Sequence, residues 1–100
     1  MFKKKNRVIV CADGFRMSVQ ANQGAYCSPR DDCGPYTEAE IGFPTMEEPL
    51  LTEYAEDPNR PTDTVYGWVP RDRILMVIAK HGGLVEGDLP EGMTNLWEKQ

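Results

Sequence analysis

The side chains best suited to chemistry are concentrated in a polar segment over residues 20–32. This segment combines amides, a hydroxyl, an aromatic ring and an arginine directly beyond the end of a predicted strand. Arg30 is able to hold an anion through two parallel hydrogen bonds, and the Tyr26 ring is able to stack on a planar group. The same residue types also form turns and local ion pairs, so a scaffold role is the alternative. With neighbouring strand residues they form a candidate binding surface: Arg16, Gln20, Asn22, Tyr26, Ser28, Arg30, Tyr66 and Trp68.

Catalytic and metal-binding patterns are weak. His81 is the one histidine of the chain, and no nucleophile motif surrounds Cys27 or Ser28. The position of His81 near a predicted helix end has a structural explanation, because a cation there interacts favourably with the helix dipole. Cys27 and Cys33 lack zinc-site spacing, and Asp31-Asp32 lacks the alternating oxygen ligands of a calcium loop. We therefore expect a non-enzymatic protein with no metal and no cofactor.

Two pairs of carboxylates also occur, Glu38 with Glu40 and Glu47 with Glu48. Residues two apart on a strand share a face, so Glu38 and Glu40 are predicted to point the same way. Because charged side chains are rarely buried, we interpret both pairs as solvated. The second pair belongs to an irregular connection over residues 45–64, whose acidity also suggests a mimic of nucleic acid, although prolines interrupt it.

Composition bounds the class of protein. One hundred residues, 40% of them hydrophobic, suit a single globular domain. We predict one domain over residues 1–100, with a flexible basic terminus at 1–6 and a variable tail at 86–100. The net charge of −5 argues against a general nucleic-acid-binding protein, which would carry a basic surface. No apolar run has the length of a transmembrane helix, and an odd number of cysteines favours a reducing compartment, so we expect a cytoplasmic location and no membrane partner.

An Asp-Gly turn predicts the first hairpin, over residues 7–22. A two-residue loop at Asp13-Gly14 fixes which residues face each other. The pairs on the resulting apolar face are Ala12 with Phe15, Val10 with Met17 and Val8 with Val19. The opposite face carries Arg7, Ile9, Cys11, Arg16, Ser18 and Gln20. Together with Tyr66 and Trp68, Ile9 and Cys11 give that face a mixture of apolar and polar side chains typical of interfaces.

Two further strands are predicted downstream. Alternation over residues 36–43 puts Ala39, Ile41 and Phe43 on one side, with Tyr36 on the other. Residues 64–69 are β-branched and aromatic, and Gly67 in their middle indicates a bulge or a close backbone approach.

One main helix is predicted over about residues 70–81. Pro70 suits its first position, and Gly82-Gly83 suits a left-handed end. Ile74, Leu75 and Ile78 form its apolar stripe, and residues 84–89 favour a short edge strand. The predicted fold class is α+β, an antiparallel sheet of three to five strands with the helix packed on one face.

A set of short motifs is spread over about residues 7–85. Among them are Asp13-Gly14-Phe15, Tyr26-Cys27-Ser28-Pro29-Arg30, Thr62-Asp63-Thr64-Val65-Tyr66-Gly67 and Ala79-Lys80-His81-Gly82-Gly83. As a set they resemble small uncharacterised proteins encoded by tailed bacteriophages. The resemblance implies expression in the cytoplasm of an infected bacterium, and it brings no activity or site residues with it.

Three functional hypotheses follow. The leading one is a small phage accessory protein that binds a host or viral protein, or a second copy of itself, through the exposed sheet face and the loop over residues 26–32. The alternative is a protein that binds or sequesters a small anionic ligand such as a nucleotide, using Tyr26, Arg30 and Trp68. The third is an acidic mimic of nucleic acid over residues 47–63. The net charge argues against nucleic acid as a partner.

Overall fold

The computed structural model describes residues 5–93. These residues form one antiparallel sheet of five strands and one main helix, which confirms the predicted α+β class. Helix α1 (Arg71–Lys80) connects the last two strands in sequence, and a 3-10 turn lies at Thr52–Tyr54. Across the sheet the order is β4-β3-β2-β1-β5. In chain order the strands are β1 (Ile9–Cys11), β2 (Arg16–Gln20), β3 (Glu38–Gly42), β4 (Val65–Pro70) and β5 (Leu84–Glu86).

Strands and helix share one hydrophobic core cluster. The stripe that α1 contributes contains Val77 where the sequence predicted Leu75, which is only partly buried. Tyr36, predicted on the polar side of its strand, is also fully buried, and its hydroxyl donates to the carbonyl of Asp31. The most deeply buried aliphatic side chains are Ile9, Val19, Ile41, Leu51, Val69, Ile74, Val77 and Ile78, each 0% exposed.

The first hairpin forms, but the predicted register is wrong. Ile9 pairs with Met17 and Val10 pairs with Arg16, one residue out of step with the prediction. The connection therefore has three residues, 12–14, and Gly14 at its end is left-handed with a φ of 94°. A three-residue loop that ends in a left-handed glycine is a common alternative to the two-residue turn. The Asp13-Gly14 pair is compatible with either the two-residue turn or the three-residue loop.

The shifted register overturns the predicted exposure of the β1 residues. A slip by one residue moves every side chain of a strand to the opposite side of the sheet. Ile9 and Cys11 lie in the core at 0% and 2% exposure, whereas Val8 and Ala12 are exposed. Tyr66 is buried as well, at 1%. The exposure predicted for Ile9, Cys11 and Tyr66 is therefore wrong.

The bulge indicated by Gly67 is present. The register of β3 against β4 shifts by one residue, so that Gly67 and Trp68 together lie opposite Glu40. A close backbone approach is present too, because a Cβ on Gly67 would lie 3.3 Å from the Cβ of Tyr26. The loop that carries Tyr26 therefore sits directly on the bulged strand.

Helix α1 ends as its sequence predicts. The N–H of Gly83 donates to the carbonyl of Ile78 (2.9 Å), and the N–H of Gly82 donates to that of Ala79 (3.1 Å). Gly82 has the positive φ that this pair of bonds requires, and Gly83 has positive φ as well. At the other end, Pro70 is the last residue of β4 rather than the first of the helix.

Parts of the predicted terminus and tail, residues 1–4 and 94–100, lie outside the described residues. Within the described part, Asn6 is hydrogen-bonded to Gln20, and Met93 is 2% exposed. No helix over residues 5–93 has the length and apolar character needed to span a bilayer.

Candidate functional site

The structure brings three of the predicted site residues together. The rings of Tyr26 and Trp68 stack with their centroids 4.9 Å apart and 19° between their planes. The guanidinium of Arg30 lies over the Tyr26 ring, 5.5 Å from its centroid. The backbone N–H of Trp68 donates to the carbonyl of Tyr26 at 2.9 Å, so ring and backbone contacts both join the loop to the bulge.

Trp68 shares an unusual backbone with Phe43. Among residues 5–93 they are the only non-glycine residues with positive φ, at 50° and 49°. They are also the only aromatic residues among the large hydrophobic side chains exposed there, at 47% and 57%. Alternation with Ile41 predicted an inward Phe43, and the left-handed backbone turns the ring outward instead. Such a conformation costs an L-residue about 1–2 kcal/mol, and residues of this kind cluster at functional sites.

A shallow cleft of about 130 Å³ on the polar face of the sheet has Phe43, but not Trp68, among its lining residues. Glu40 belongs both to the cleft and to the strand position opposite Trp68. Burial and the nearby Glu56 raise the pKa of Glu40, against the opposing effects of the Tyr26 backbone and of Arg30 and Lys5. The residues that line the cleft are Lys5, Ser18, Gln20, Glu40, Gly42, Phe43 and Val65.

Glu40 has no ion pair within the part of the chain that the structure describes, residues 5–93. Glu40 is half-buried, so the predicted solvation of this carboxylate is only partial. We refer to Tyr26, Arg30, Glu40, Phe43 and Trp68 as the aromatic surface.

Two other predicted site residues lie along the same strand. Gln20 lines the cleft, but its amide is only 9% exposed and is engaged by the Asn6 backbone, which donates to Oε1 and accepts from Nε2 at 2.9 Å each. Arg16 is exposed at the far end of β2, where its backbone N–H donates to the hydroxyl of Thr45 at 3.0 Å. Gln20 holds the segment at Asn6 that precedes β1.

The remaining predicted residues support the loop. Asn22 accepts a hydrogen bond from the Gly24 N–H at 2.7 Å, as a turn former does. The Ser28 hydroxyl donates to Glu38 at 2.8 Å. Tyr66 lies in the core, and its hydroxyl donates to a backbone carbonyl, so it is not available to a partner.

The cysteines give no metal centre. Cys27 and Cys33 are free thiols, the first buried and the second exposed. Burial raises the pKa of Cys27. Over residues 5–93, no group of three or more His, Cys, Asp or Glu side chains is placed to hold a metal ion.

A second polar cluster, which we call the His81 clasp (Asp13, Glu48, Lys80 and His81), was not predicted. The imidazole Nδ1 lies 2.6 Å from Asp13 Oδ2, and Nε2 lies 2.7 Å from Glu48 Oε1. Lys80 donates to the other Glu48 oxygen at 2.9 Å. Glu48, predicted to be solvated, is 2% exposed, so that prediction is wrong. The clasp ties the hairpin turn, the end of α1 and the irregular connection together.

The pKa shifts of His81 and Glu48 both favour the charged form of each group. Burial alone lowers the pKa of His81, but the hydrogen bonds to Asp13 and Glu48 outweigh it and raise that pKa. For Glu48, burial is outweighed by the Leu50 N–H, Lys80 and His81, so its pKa falls. Because both ring nitrogens already contact carboxylates, neither is available to take a proton from a substrate. We therefore interpret the clasp as a cluster that stabilises the fold.

Two larger concavities lie elsewhere, about 320 Å³ and 330 Å³ in volume. The first is formed between residues 84 and 93, where Asp88 is already bonded to Arg7. The second lies on the outer side of α1 and is lined by Asp72, Leu75 and Met76 with one alanine. Neither concavity contains an aromatic ring among its lining residues, in contrast with the aromatic surface.

No protein-family model, curated protein or solved structure matches this chain. The functional argument therefore rests on the geometry of the aromatic surface and of the His81 clasp.

Proposed function

We propose that this chain is a small non-enzymatic binding protein whose aromatic surface contacts a protein partner. The observation that carries the proposal is the coincidence of backbone and exposure at Phe43 and Trp68. Over residues 5–93, positive φ outside glycine occurs only where an aromatic ring is turned into solvent. Folding alone gains nothing from exposing an aromatic ring at the cost of backbone strain, so a binding role accounts for both features.

The residue types favour a protein partner. Tryptophan, tyrosine and arginine are the residues that most often dominate binding energy at protein interfaces. Here one of each, Trp68, Tyr26 and Arg30, lies in a single group of contacts. Exposed rings beside half-buried polar groups are also the usual make-up of an interface centre.

A small-ligand function has weaker support. Tyr26 and Trp68 already stack on each other, which leaves no gap between them for a planar ligand. The adjoining cleft of about 130 Å³ is small against the roughly 300–1,000 Å³ of typical ligand sites. A nucleotide would be restricted to the outer side of one ring.

The acidic-mimic function also loses support. Within residues 47–63, Glu48 is turned into the protein and bound by Lys80 and His81. Asp63 is paired with Arg60. One carboxylate is thus buried, and the charge of another is offset by a neighbouring arginine.

The biological setting is part of the same proposal. The resemblance to small proteins of tailed bacteriophages supports an accessory role in an infected bacterial cytoplasm, with a host or viral protein as the partner. Self-association through the aromatic surface is the second form of the same proposal, because a second copy is also a protein partner.

Selection from a random displayed peptide library on the immobilised protein tests this function. We expect the selected peptides to lose about 30-fold in affinity on Trp68→Ala, the effect of removing an interface hot spot of about 2 kcal/mol. Met76→Ala is the matched control, since Met76 is a comparably exposed apolar side chain (51%) on α1. Peptides that bind the wild type, Trp68→Ala and Met76→Ala equally, or a selection that yields no binder, would contradict the proposal.

A further inference from the structure

We propose that the aromatic surface recognises a cationic side chain, a lysine or an arginine of the partner, and that Glu40 is the counter-ion. The inference rests on the proposed function and names the chemistry of the partner at that same site.

Glu40 is related by position to both exposed rings. It lies opposite the Gly67-Trp68 bulge in the neighbouring strand, and it lines the cleft together with Phe43. A carboxylate on a surface that also exposes aromatic rings favours a cation in two ways, because the charge attracts it and a ring face attracts it through the π-electrons. A neutral or acidic group would gain neither interaction.

The cations within residues 5–93 form no ion pair with Glu40. Arg30 is engaged over the Tyr26 ring, and Lys5 lines the cleft, yet neither is within 4.0 Å of a Glu40 oxygen among the ion pairs found over residues 5–93. Glu48 and Asp88 each have a cation in contact. Over residues 5–93, Glu40 is a half-buried carboxylate without one.

Two further properties agree with a cationic partner. Burial and Glu56 make the ionised form of Glu40 unfavourable in the isolated protein, and an arriving cation would relieve this cost. The net charge of −5 also steers a basic segment towards the protein, which raises its association rate.

The contact of Arg30 with Tyr26 shows that this surface already accepts a guanidinium on an aromatic face. A cation from the partner that sits beside Trp68 would use the same chemistry one ring further along. The occupant that best fits is thus a polypeptide segment with at least one fixed basic residue.

The test uses the same displayed peptide library on the wild type and on Glu40→Gln. We expect peptides selected on the wild type to share a lysine or arginine at one fixed position. Replacing that residue by glutamine in a synthetic peptide should weaken binding about tenfold, and Glu40→Gln should weaken the parent peptide by a similar factor. The two losses should not add, because they remove one interaction from either side.

Glu86→Gln on β5 is the control, since it removes an exposed carboxylate from the opposite edge of the sheet. Peptides that depend on Trp68 but carry no fixed basic residue would overturn the cationic inference and leave the proposed function standing. Additive losses would also overturn it. Peptides that do not depend on Trp68 would overturn both.

Discussion

The His81 clasp and the aromatic surface both contain charged side chains, but they differ in how many of those charges have an ion-pair partner within the protein. In the clasp, both nitrogens of His81 and both oxygens of Glu48 have partners, and the pair is almost fully buried. In the aromatic surface, Glu40 has no ion pair over residues 5–93, and two rings are exposed on a left-handed backbone. A satisfied polar cluster needs nothing from outside and stabilises the fold. A half-buried carboxylate that lacks an ion pair over residues 5–93, beside exposed rings on a strained backbone, is instead available to a binding partner.

The largest effect should come from breaking the clasp. Glu48→Ala leaves His81 and Lys80 without their shared partner inside the protein, and removing one member of a buried ion pair typically costs about 3–5 kcal/mol. Urea unfolding measures the loss, with the neighbouring exposed Glu47→Ala as the control. If Glu48→Ala is too unstable to fold, Glu48→Gln should show a smaller loss of the same sign. Equal stability of the Glu47 and Glu48 variants would show that the clasp does not fasten the fold.

At the aromatic surface we expect a smaller effect on stability, in which the usual order of glycine and alanine variants is reversed. In ordinary strands glycine is less stable than alanine by roughly 0.5–1 kcal/mol. At positive φ the order reverses, so Trp68→Gly should be more stable than Trp68→Ala by about 1 kcal/mol. Both variants lose the ring, so the difference reports the backbone alone.

Val65 in the same strand supplies the matched pair for this test, because its φ is not positive. Val65→Gly should be less stable than Val65→Ala in the same urea titration. The same order at both positions would mean that Trp68 carries no backbone strain, and the argument for a built binding surface would lose its main support.

The smallest effect concerns the exposed side of the clasp. Because the pKa of His81 is raised in the folded protein, its contribution to stability is complete below the ordinary value near 6.5 and is lost as pH rises through the folded pKa. The chain has one histidine, so its NMR titration is unambiguous. We expect a midpoint above about 6.5.

Asp13→Asn should lower that midpoint and have only a small effect on stability, because the Asp13 side chain is 49% exposed and water screens its charge. The hydrogen bond to Nδ1 can survive this change, whereas the negative charge cannot. A midpoint at or below the ordinary value in the wild type would contradict the described geometry of the clasp.

Much of the fold could be predicted because its signals are local. The glycines after α1 predicted its end, and Gly67 predicted the bulge. The hairpin register could not be predicted from the Asp-Gly pair, since a left-handed Gly14 also ends a three-residue loop. That single ambiguity reversed the faces of β1 and with them the predicted exposure of Ile9 and Cys11.

The site was only partly predictable for a similar reason. The residue types of Tyr26, Arg30 and Trp68 were sufficient to single them out, but Phe43 and Glu40 were assigned by alternation to a core face and a solvated face. A change of φ at Phe43 breaks that alternation and leaves no trace in the sequence. Glu48 and His81 are 33 residues apart, so only tertiary structure brings them together, although the apolar residues after Glu48 hinted that its segment enters the core.

The central claim is that the aromatic surface is where a partner binds. The most direct test is to add the tightest peptide from the library selection to the isotope-labelled protein and follow every backbone amide by NMR. The account predicts that the largest shifts occur at residues 26–30, 40–43 and 65–68. Largest shifts over α1 or β5, with residues 26–30, 40–43 and 65–68 unchanged, would place the binding surface elsewhere and contradict the account.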